Sequence, residues 1–295
     1  MTGLHQSGFA SALGEAYRLE HANGWVLKRQ IRDDGLFDLR SPYPNFAETD
    51  FTKINLDLKS LIKEKKAVAL TIRSDALSEN DVVETKDHWD WFKEFKTHHI
   101  TDLSSDWRAS AARNALRYEK RARLTFQYGV VLEPITYAKE LYDLNQIILK
   151  RTKAPIQSQL DLKALKQQLD LPGAVLIKAW NESGVQALGF FMQSKNRAYA
   201  YLLGSTDDAR DDYVLYGLYS FALDLFSNRV TYVDFGSAPG IRDNIDHPVA
   251  KFKRLWTNKM AKSYICGKII RKDIYSQLMD LSPIDHADYF PGYQI

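Results

Sequence analysis

Basic residues are concentrated near the end of the chain, in a segment that contains no acid. Between Asp246 and Asp273 there are eight Lys or Arg residues and no Asp or Glu. Positive charge of this kind stabilises the oxyanion that forms when a nucleophile attacks an ester or thioester carbonyl. Lys253 is the candidate in this segment for acyl-transfer chemistry. The alternative is a basic surface hairpin with Phe252 and Trp256 on its buried side.

Acyl transfer to an amine also needs a proton acceptor, and few positions qualify. Asp234 ends a predicted strand, where burial is expected to raise its pKa toward a useful range. Its alternative role is to cap the turn from Gly236 to Gly240. Tyr201, Tyr213 and Tyr216 are candidates for relaying a proton, and the alternative for them is packing in the core.

A second basic cluster lies on a helix predicted from Trp107 to Leu124, for which Ser105 or Asp106 is the cap. Arg113, Arg117 and Arg121 recur every four residues and therefore share one face of this helix. Solvated helix faces normally mix charges of both signs. The one-sided charge indicates contact with an anion, and an ordinary solvated face remains the alternative.

Hydrophobic periodicity predicts an α/β chain with two lobes and a returning tail. The predicted limits are 1–106 for the first lobe, 107–275 for the second and 276–295 for a tail that returns to the first lobe. The first lobe contains a βαβ unit, and the second contains three antiparallel strands, an apolar helix and a parallel strand. The predicted strands are 25–31, 35–40, 67–73, 130–133, 174–180, 185–192, 198–205 and 231–237, and the other predicted helices are 55–65, 137–153, 161–169 and 213–226.

Composition excludes several classes of protein. The chain has 295 residues, which favours two hydrophobic cores over one, and a net charge of only +3, which does not favour a general attraction to nucleic acid or membrane. Cys266 is the only cysteine, so the sequence predicts no disulfide, and no zinc-ligand spacing occurs. We find neither a secretory signal nor a membrane-spanning run, and we expect a cytoplasmic protein.

Four segments together resemble a known family, the Fem-type aminoacyltransferases of peptidoglycan synthesis and their cellulose-biosynthesis-like acetyltransferase relatives. The segments are Arg40-Ser-Pro-Tyr-Pro44, Arg113-Asn-Ala-Leu-Arg-Tyr-Glu-Lys-Arg121, Tyr232-Val-Asp-Phe-Gly236 and Lys251-Phe-Lys253. The resemblance implies a tandem GNAT-like (acyl-CoA N-acyltransferase) fold of α/β (α+β) class, with the first lobe reduced. It also implies a bacterial protein.

The resemblance assigns roles to individual residues. In the family an Arg-rich helix and other basic residues hold the phosphates of a sugar-nucleotide or lipid-linked precursor, which implies this role for Arg113 and Arg117. We add Arg121 and Tyr216 to this substrate-binding set. A Phe-Lys pair after the last core strand supports acyl transfer in the family, which implies substrate contact by Phe252 and catalysis by Lys253.

One segment departs from the acetyl-CoA enzymes, which place a glycine-rich turn for pyrophosphate after the fourth strand. Here the turn from Gly204 to Asp212 contains four aspartates that would repel pyrophosphate. Ser205, Thr206 and Arg210 are the candidates for cofactor binding in this turn. We therefore expect that no cofactor is tightly bound, that the donor is an acyl-CoA or an aminoacyl-tRNA, and that acetyl-CoA does not bind in the classical mode.

The sequence thus favours an N-acyltransferase or aminoacyltransferase that acts on an anionic cell-envelope or polysaccharide precursor. Its expected partners are a phosphate-bearing sugar or lipid-linked precursor and, for one choice of donor, tRNA. The alternative is a non-catalytic protein that binds an anionic glycan precursor or RNA through its basic residues. The sequence leaves open the acyl group, the acceptor and the oligomeric state.

Overall fold

The computed structural model of the protein describes residues 7–31, 35–42, 50–63, 66–152, 161–240, 242–281 and 290–293. The chain divides into two compact units. The large unit comprises residues 1–12 and 97–261, and the small unit comprises residues 13–96 and 262–295. The domain limits that the sequence predicts, at residues 106 and 275, differ from the limits of these compact units. As limits of domains they stay a prediction. Tyr43, Pro44 and half of the predicted tail lie outside the described residues.

Strands and α-helices are numbered in chain order. The strands are β1 (Ala16–Leu19), β2 (Gly24–Gln30), β3 (Phe37–Arg40), β4 (Ala67–Arg73), β5 (Trp91–Asp102), β6 (Gln127–Val131), β7 (Ala174–Asn181), β8 (Gly184–Ser194), β9 (Arg197–Ser205), β10 (Tyr232–Asp234) and β11 (Lys259–Ile269). The helices are α1 (Ser7–Ser11), α2 (Ile54–Lys63), α3 (Glu79–Glu84), α4 (Trp107–Ser110), α5 (Arg113–Thr125), α6 (Ala138–Thr152), α7 (Leu162–Leu169), α8 (Asp207–Asp211), α9 (Val214–Phe226), α10 (Pro248–Arg254) and α11 (Lys272–Asp280).

The small unit contains the βαβ arrangement that the sequence predicts. Strands β3 and β4 pair in parallel, with Leu39 opposite Leu70, and α2 connects them. Strand β2 lies antiparallel between β1 and β3, and β11 pairs antiparallel with β4. Helix α2 packs on this sheet because Ile54, Leu58 and Leu61 recur at helical spacing and are buried.

The large unit has the strand order that the sequence predicts. Strands β7, β8 and β9 are antiparallel neighbours, and β10 lies parallel to β9 with Asp234 opposite Tyr199. Helix α9 lies between β9 and β10 in the chain, as a parallel pair requires a crossover. On its other side β10 pairs antiparallel with β5, where Asp234 lies opposite Ile100. Strand β10 therefore has neighbours on both sides, each held in a fixed register.

Helix α9 is apolar because most of its surface is buried in the core of the large unit. Leu218 and Phe226 are fully buried. Gly217 lets the ring of Tyr128 approach the helix, since a Cβ atom there would lie 2.2 Å from the Tyr128 hydroxyl oxygen. That hydroxyl donates to the carbonyl of Val214 at 3.1 Å and fixes the ring against the helix.

The helix predicted from Trp107 to Leu124 is wrong in one respect, because the structure divides it into α4 and α5. Asp106 caps α4 as predicted, through the backbone N–H two residues further on. Ala111 and Ala112 are extended, with ψ of 144° and 136°. The N–H of Ala112 donates to the carbonyl of Leu255 at 2.8 Å. This tertiary hydrogen bond overrides the high helix propensity of two alanines.

The alternative of a basic hairpin after residue 246 is also wrong, because this segment forms α10 and then β11. Pro248 occupies the first turn of α10, where its missing N–H costs nothing, and the ring of His247 accepts the N–H of Val249 at 3.2 Å. Trp256 is fully buried, as the hairpin interpretation had assumed. The sequence analysis did not predict strand β5. Lys93, Glu94 and other ionisable residues interrupt the alternation of apolar and polar residues that indicates a strand.

We predict that Gly217→Ala destabilises the protein by about 1–3 kcal/mol, because the new methyl group overlaps the pinned ring of Tyr128. Urea unfolding of the two proteins measures this difference. In a Tyr128→Ala background the overlap is absent, and the same substitution is expected to stabilise by up to ~1 kcal/mol through helix propensity. Equal effects in the two backgrounds would contradict the assigned contact.

Candidate active site

The candidate active site lies in the large unit, where β10 ends beside β5. Because Asp234 is opposite Ile100 in an antiparallel pair, His98 lies two residues along β5 on the same face of the sheet. The Nδ1 atom of His98 is 2.8 Å from Oδ2 of Asp234. The other carboxylate oxygen, Oδ1, accepts the N–H of Gly236 at 2.6 Å. Both oxygens of this buried side chain are therefore hydrogen-bonded.

The pKa of Asp234 is lowered, which corrects the sequence expectation. Burial by itself raises this pKa, but the charge and hydrogen bond of His98, the N–H of Gly236 and the charge of Lys253 together bring it below the ordinary aspartate value. The expectation that burial dominates is therefore wrong. Asp234 is an ionised carboxylate that caps the turn at Gly236, which is the alternative role that the sequence left open.

The ionised state of Asp234 determines one hydrogen position on His98. A carboxylate only accepts hydrogen bonds, so Nδ1 of His98 carries a hydrogen and donates it to Asp234. The His98 side chain retains 14% of its exposure, whereas the Asp234 side chain retains 1%. His98 is thus the more exposed of the two groups.

His99, the next residue of β5, lies in a different environment. It is buried with 1% exposure, and its ring points to the opposite face from His98. Burial, followed by the positive charges of Lys253 and Arg254, lowers the pKa of His99 to about 4. His99 is therefore uncharged at neutral pH, and it adds no positive charge to the site.

Lys253 reaches the turn after β10 from helix α10. Its Nζ donates to the carbonyl of Ser237 at 2.7 Å and lies 3.6 Å from the Cβ position that a side chain at Gly236 would occupy. Gly236 has a φ of +73°, which favours glycine. Lys253 is half-buried, so its ammonium group is held at the turn that Asp234 caps.

Strands β9 and β10 pair over only part of β9. Their pairing ends at Tyr199 opposite Asp234, but β9 continues to Ser205. One edge of residues 200–205 pairs with β8. In the ranges that the structure describes, no strand pairs with their other edge, which faces the side of β10. The carbonyl of Leu203 accepts the side-chain N–H of Asn145 at 3.3 Å, and backbone groups that a strand leaves unpaired can bind extended ligands. Tyr201 lies on this part of β9, and its ring packs against Phe9 and Phe190 at centroid distances of 5.4 Å each.

The arginine stripe of α5 is formed by Arg113, Arg117 and Arg121, all three exposed. Among the described residues, none of the three takes part in an ion pair. The guanidinium of Arg117 lies 4.9 Å from the ring of Tyr118, and that of Arg121 lies 5.0 Å from the ring of Tyr213. The structure therefore places these charges on one surface, next to aromatic rings.

Two other arginines of this region are neutralised inside the large unit. Arg108 contacts Asp224 at 2.7 Å, and Arg123 binds the buried Glu119 one helical turn away. Ser220 on α9 donates to the same carboxylate at 3.0 Å. A buried carboxylate requires such partners, so this cluster stabilises the packing of α5 on α9.

A chain of aromatic rings connects the arginine stripe with α10. Tyr118 stacks on Tyr213 at 4.3 Å, and Tyr213 contacts Tyr216 at 5.7 Å. Tyr216 in turn contacts Phe252 at 4.9 Å. Phe252 also packs on Tyr219 at 4.9 Å, so its ring belongs to the core of the large unit. Tyr216 is half-buried, and burial raises its pKa, so it remains protonated at neutral pH.

Two of the three predicted cofactor-binding residues, Thr206 and Arg210, interact with protein groups through their side chains. Ser205 is fully buried. The N–H of Thr206 donates to the carbonyl of Gln186 at 3.0 Å, and the Thr206 hydroxyl accepts the N–H of Ala209 at 3.2 Å. Arg210 is exposed and pairs with Asp211 at 2.8 Å. Helix α8 thus has a side-chain cap of its own.

The structure brings together Asp234, Lys253 and Gly236, and it keeps Tyr201 on the neighbouring part of β9. Sequence reasoning missed His98. The available signal was the pair of adjacent histidines ahead of Thr101-Asp102, but its meaning depends on the register between β5 and β10. That register is a long-range property, which local sequence patterns do not encode.

Comparison with solved structures identifies proteins of similar fold. The crystal structure of FemX matches with a TM-score of 0.70 and 12% identity, covering 93% of each chain. The structure of L-PGS from Bacillus licheniformis matches with a TM-score of 0.59 and 14% identity, covering 92% of this chain and 89% of that one. The C-terminal domain of a putative lysylphosphatidylglycerol synthetase from Agrobacterium fabrum matches with a TM-score of 0.57 and 12% identity, covering 93% of this chain and 91% of that one.

No family model matches the sequence, and no curated protein matches it. Within the described ranges, no helix has the length and apolar character that a membrane span requires. At these low identities the structural matches establish the fold. The chain has the Fem-type α/β fold, which confirms the predicted fold class and the resemblance found in the sequence.

Proposed function

We propose that the protein is an N-acyltransferase or aminoacyltransferase that acts on an anionic cell-envelope or polysaccharide precursor. The observation that carries this proposal is the meeting of Asp234, His98 and Lys253 at the end of β10, beside the unpaired edge of β9. The fold supports it, since FemX and the C-terminal domain of a putative lysylphosphatidylglycerol synthetase share this fold, and the second name describes an aminoacylated lipid as product.

In this proposal Lys253 stabilises the oxyanion of the tetrahedral intermediate. Its ammonium group is half-buried and held by the Ser237 carbonyl, so it needs little rearrangement to meet a developing negative charge. A preorganised charge in a partly desolvated site is effective for this purpose. The donor's carbonyl oxygen would lie near Lys253, with the rest of the donor along the edge of β9 that includes Tyr201.

We propose an aminoacyl ester, such as an aminoacyl-tRNA, as the donor in preference to acetyl-CoA. The N–H groups of Thr206 and Ala209 are already hydrogen-bonded, and Asp207 and Asp208 follow directly at the start of α8. Negative charge at this position opposes the binding of pyrophosphate. An aminoacyl ester does not need a pyrophosphate cradle at this turn, and its polynucleotide can contact a basic surface elsewhere.

The arginine stripe supports an anionic ligand. Its guanidinium groups are exposed and form no ion pair among the described residues, whereas Arg108 and Arg123 bind carboxylates of the protein. Guanidinium forks bind phosphate oxygens through paired hydrogen bonds. The same surface also favours the alternative function, a non-catalytic protein that binds RNA or an anionic glycan, because Tyr118 and Tyr213 add aromatic faces suited to stacking.

A turnover assay distinguishes the transferase from the non-catalytic binding protein. The purified protein is incubated with radiolabelled aminoacyl-tRNA or acetyl-CoA and with a panel of acceptors, which are nucleotide-linked amino sugars, peptidyl sugars and amine-containing phospholipids. Formation of an amide product with any acceptor supports the transferase. Tight binding without any product in all combinations would favour the binding protein.

Replacing Lys253 by Met is expected to lower kcat about 10²–10³-fold, because the oxyanion loses its cation. Donor affinity, measured by fluorescence anisotropy, is expected to change less than twofold. Lys251→Ala is the matched control on the same helix, since Lys251 is exposed and pairs only weakly with Asp246. Full activity of Lys253→Met would exclude the role assigned to this residue.

Replacing Arg113 and Arg117 together by Ala is expected to weaken a phosphate-bearing ligand by roughly 2–4 kcal/mol, as charge-assisted hydrogen bonds are lost. The Tm without ligand is expected to stay nearly unchanged, because both residues are exposed, neither forms an ion pair within the described chain, and the hydrogen bond from Arg117 to the Tyr118 hydroxyl lies at the surface. Lys139→Ala with Lys251→Ala removes the same charge elsewhere and serves as control. Unfolding of the arginine variant, with unchanged binding per folded molecule, would show a structural role instead.

Calorimetric titration with acetyl-CoA at low salt is expected to show no binding in the micromolar range. The physical reason is the acidic, self-capped turn at Thr206. Aminoacyl-tRNA is the positive comparison in the same buffer. A micromolar dissociation constant for acetyl-CoA that inorganic pyrophosphate competes away would show that the turn does bind the cofactor.

A further inference from the structure

We propose that helix α10 is an acid-sensitive element, whose attachment to strand β5 requires two histidines, His99 and His247, to be uncharged. His99 is buried on β5, and His247 caps the first turn of α10. Since α10 carries Lys253, acid is expected to release this lysine from the turn after β10. The inference concerns the attachment of one helix, so it holds for a transferase and for a binding protein alike.

Strand β5 presents His99 to the side of the sheet that α10 covers. The N–H of Phe235 donates to the His99 carbonyl at 2.9 Å, which continues the antiparallel register of β5 and β10 and places both side chains on one face. Phe235 belongs to the same apolar core as residues of α10. Two residues along β5 on this face, the hydroxyl of Thr101 donates to the carbonyl of Trp256, just after α10, at 2.9 Å.

The surroundings of His99 oppose a positive charge on its ring. The residue retains 1% exposure, and its Nδ1 has no hydrogen-bond partner among the described residues. Lys253 and Arg254, both on α10, bring positive charge near the ring, as does His98. Asp234 acts in the opposite sense, but it lies on the other face of the sheet and is bonded to His98. Burial and the cations outweigh it and lower the pKa of His99 to about 4.

The lowered pKa of His99 sets the direction of the pH effect. Above pH 6.5, the ordinary histidine value, His99 is largely uncharged whether α10 is attached or released. As the pH falls from 6.5 toward 4, the released form takes up a proton that the attached form excludes, so the attachment weakens. With the ordinary pKa in the released form, the equilibrium constant for release rises about 20-fold between pH 7 and pH 5.

His247 adds a second requirement at the start of α10. Its Nδ1 accepts the N–H of Val249 at 3.2 Å, so this nitrogen holds a lone pair. A protonated ring cannot accept, and its charge would lie at the positive end of the helix. The neighbouring charges, Asp246 and Lys251, pair with each other at 3.6 Å, and no side chain of another described element forms a hydrogen bond or ion pair with His247. Loss of such a cap favours opening about fivefold.

His98, the other histidine near α10, does not produce the same effect. It donates to the carboxylate of Asp234 at 2.8 Å, and a carboxylate holds a protonated ring more firmly than a neutral one. A proton on His98 therefore favours the folded arrangement of β5 and β10. The release of α10 in acid is assigned to His99 and His247.

Native-state hydrogen exchange at pH 7, 6 and 5 tests the proposal without any substrate. The reporters are the N–H groups of Lys251 and Trp256, which donate to the His247 and Lys253 carbonyls at 3.0 Å each. After correction for the intrinsic effect of pH on exchange, their protection is expected to fall about 100-fold from pH 7 to pH 5, the product of the two effects. Helix α9 contains no histidine and is expected to keep its protection.

Unchanged protection of α10 at pH 5 would overturn the proposal. An equal loss of protection in α9 and α10 would overturn it as well, because it would show unfolding of the whole unit instead of the release of one helix.

Two substitutions in the full chain separate the histidines. Asn caps a helix at every pH, so His247→Asn is expected to leave only the fall of about 20-fold. Phe does not titrate, so His99→Phe is expected to leave only the fall of about fivefold. The double variant is expected to show no pH dependence, whereas His21→Gln, an exposed histidine of the small unit, is expected to behave as the wild type. A full pH dependence in the double variant would overturn the assignment.

Nitrogen NMR of the ¹⁵N-histidine wild type tests His99 without a substitution, and thus does not depend on the folding of His99→Phe. The ring of His99 is expected to give the signals of a neutral imidazole at pH 5, whereas the exposed ring of His21 is expected to be protonated. A protonated His99 at pH 5 in protein whose α10 remains protected would overturn the proposal.

Discussion

The buried carboxylate of Asp234 is the constraint on which the site depends. An ionised group removed from water must be compensated by hydrogen bonds and opposite charge, and here each oxygen has its own partner. One oxygen orients His98 from β5, and the other fixes the turn at Gly236. The charge also attracts Lys253 from α10. A single desolvated group thereby links a strand, a turn and a helix, which explains why the candidate residues converge at the end of β10.

Aromatic packing decides where Lys253 lies. Tyr219 is sandwiched by rings of the large unit, stacking on Phe235 at 4.4 Å and contacting Phe252 at 4.9 Å. Because consecutive residues of a helix are rotated by about 100°, the packing of the partly buried Phe252 against the core directs its neighbour Lys253 elsewhere. Phe252 and Lys253 therefore have different roles, since the phenylalanine anchors α10 and the lysine reaches the turn after β10.

The basic residues between 107 and 124 have two separate roles. Arg108 and Arg123 surround a buried Glu119 and hold α5 against α9, whereas the arginine stripe faces solvent beside tyrosine rings. Charge counting treats all of these residues alike. Their difference arises from their partners, since a guanidinium beside the buried Glu119 is needed for stability, and one that forms no ion pair is available for an anionic ligand.

The sequence by itself determined the βαβ unit, the hairpin of β7 and β8, the apolar crossover helix α9 and the parallel pairing of β9 with β10. These features are encoded locally, through period-two and helical spacing of apolar residues and through turn residues between them. Only the tertiary structure decided the break at Ala111–Ala112, the helix in place of the basic hairpin and the pairing of His98 with Asp234. Those depend on contacts between residues far apart in the chain, such as the Ala112–Leu255 hydrogen bond and the register of β5 on β10. Such contacts form only when the chain has folded, and local patterns carry no record of them.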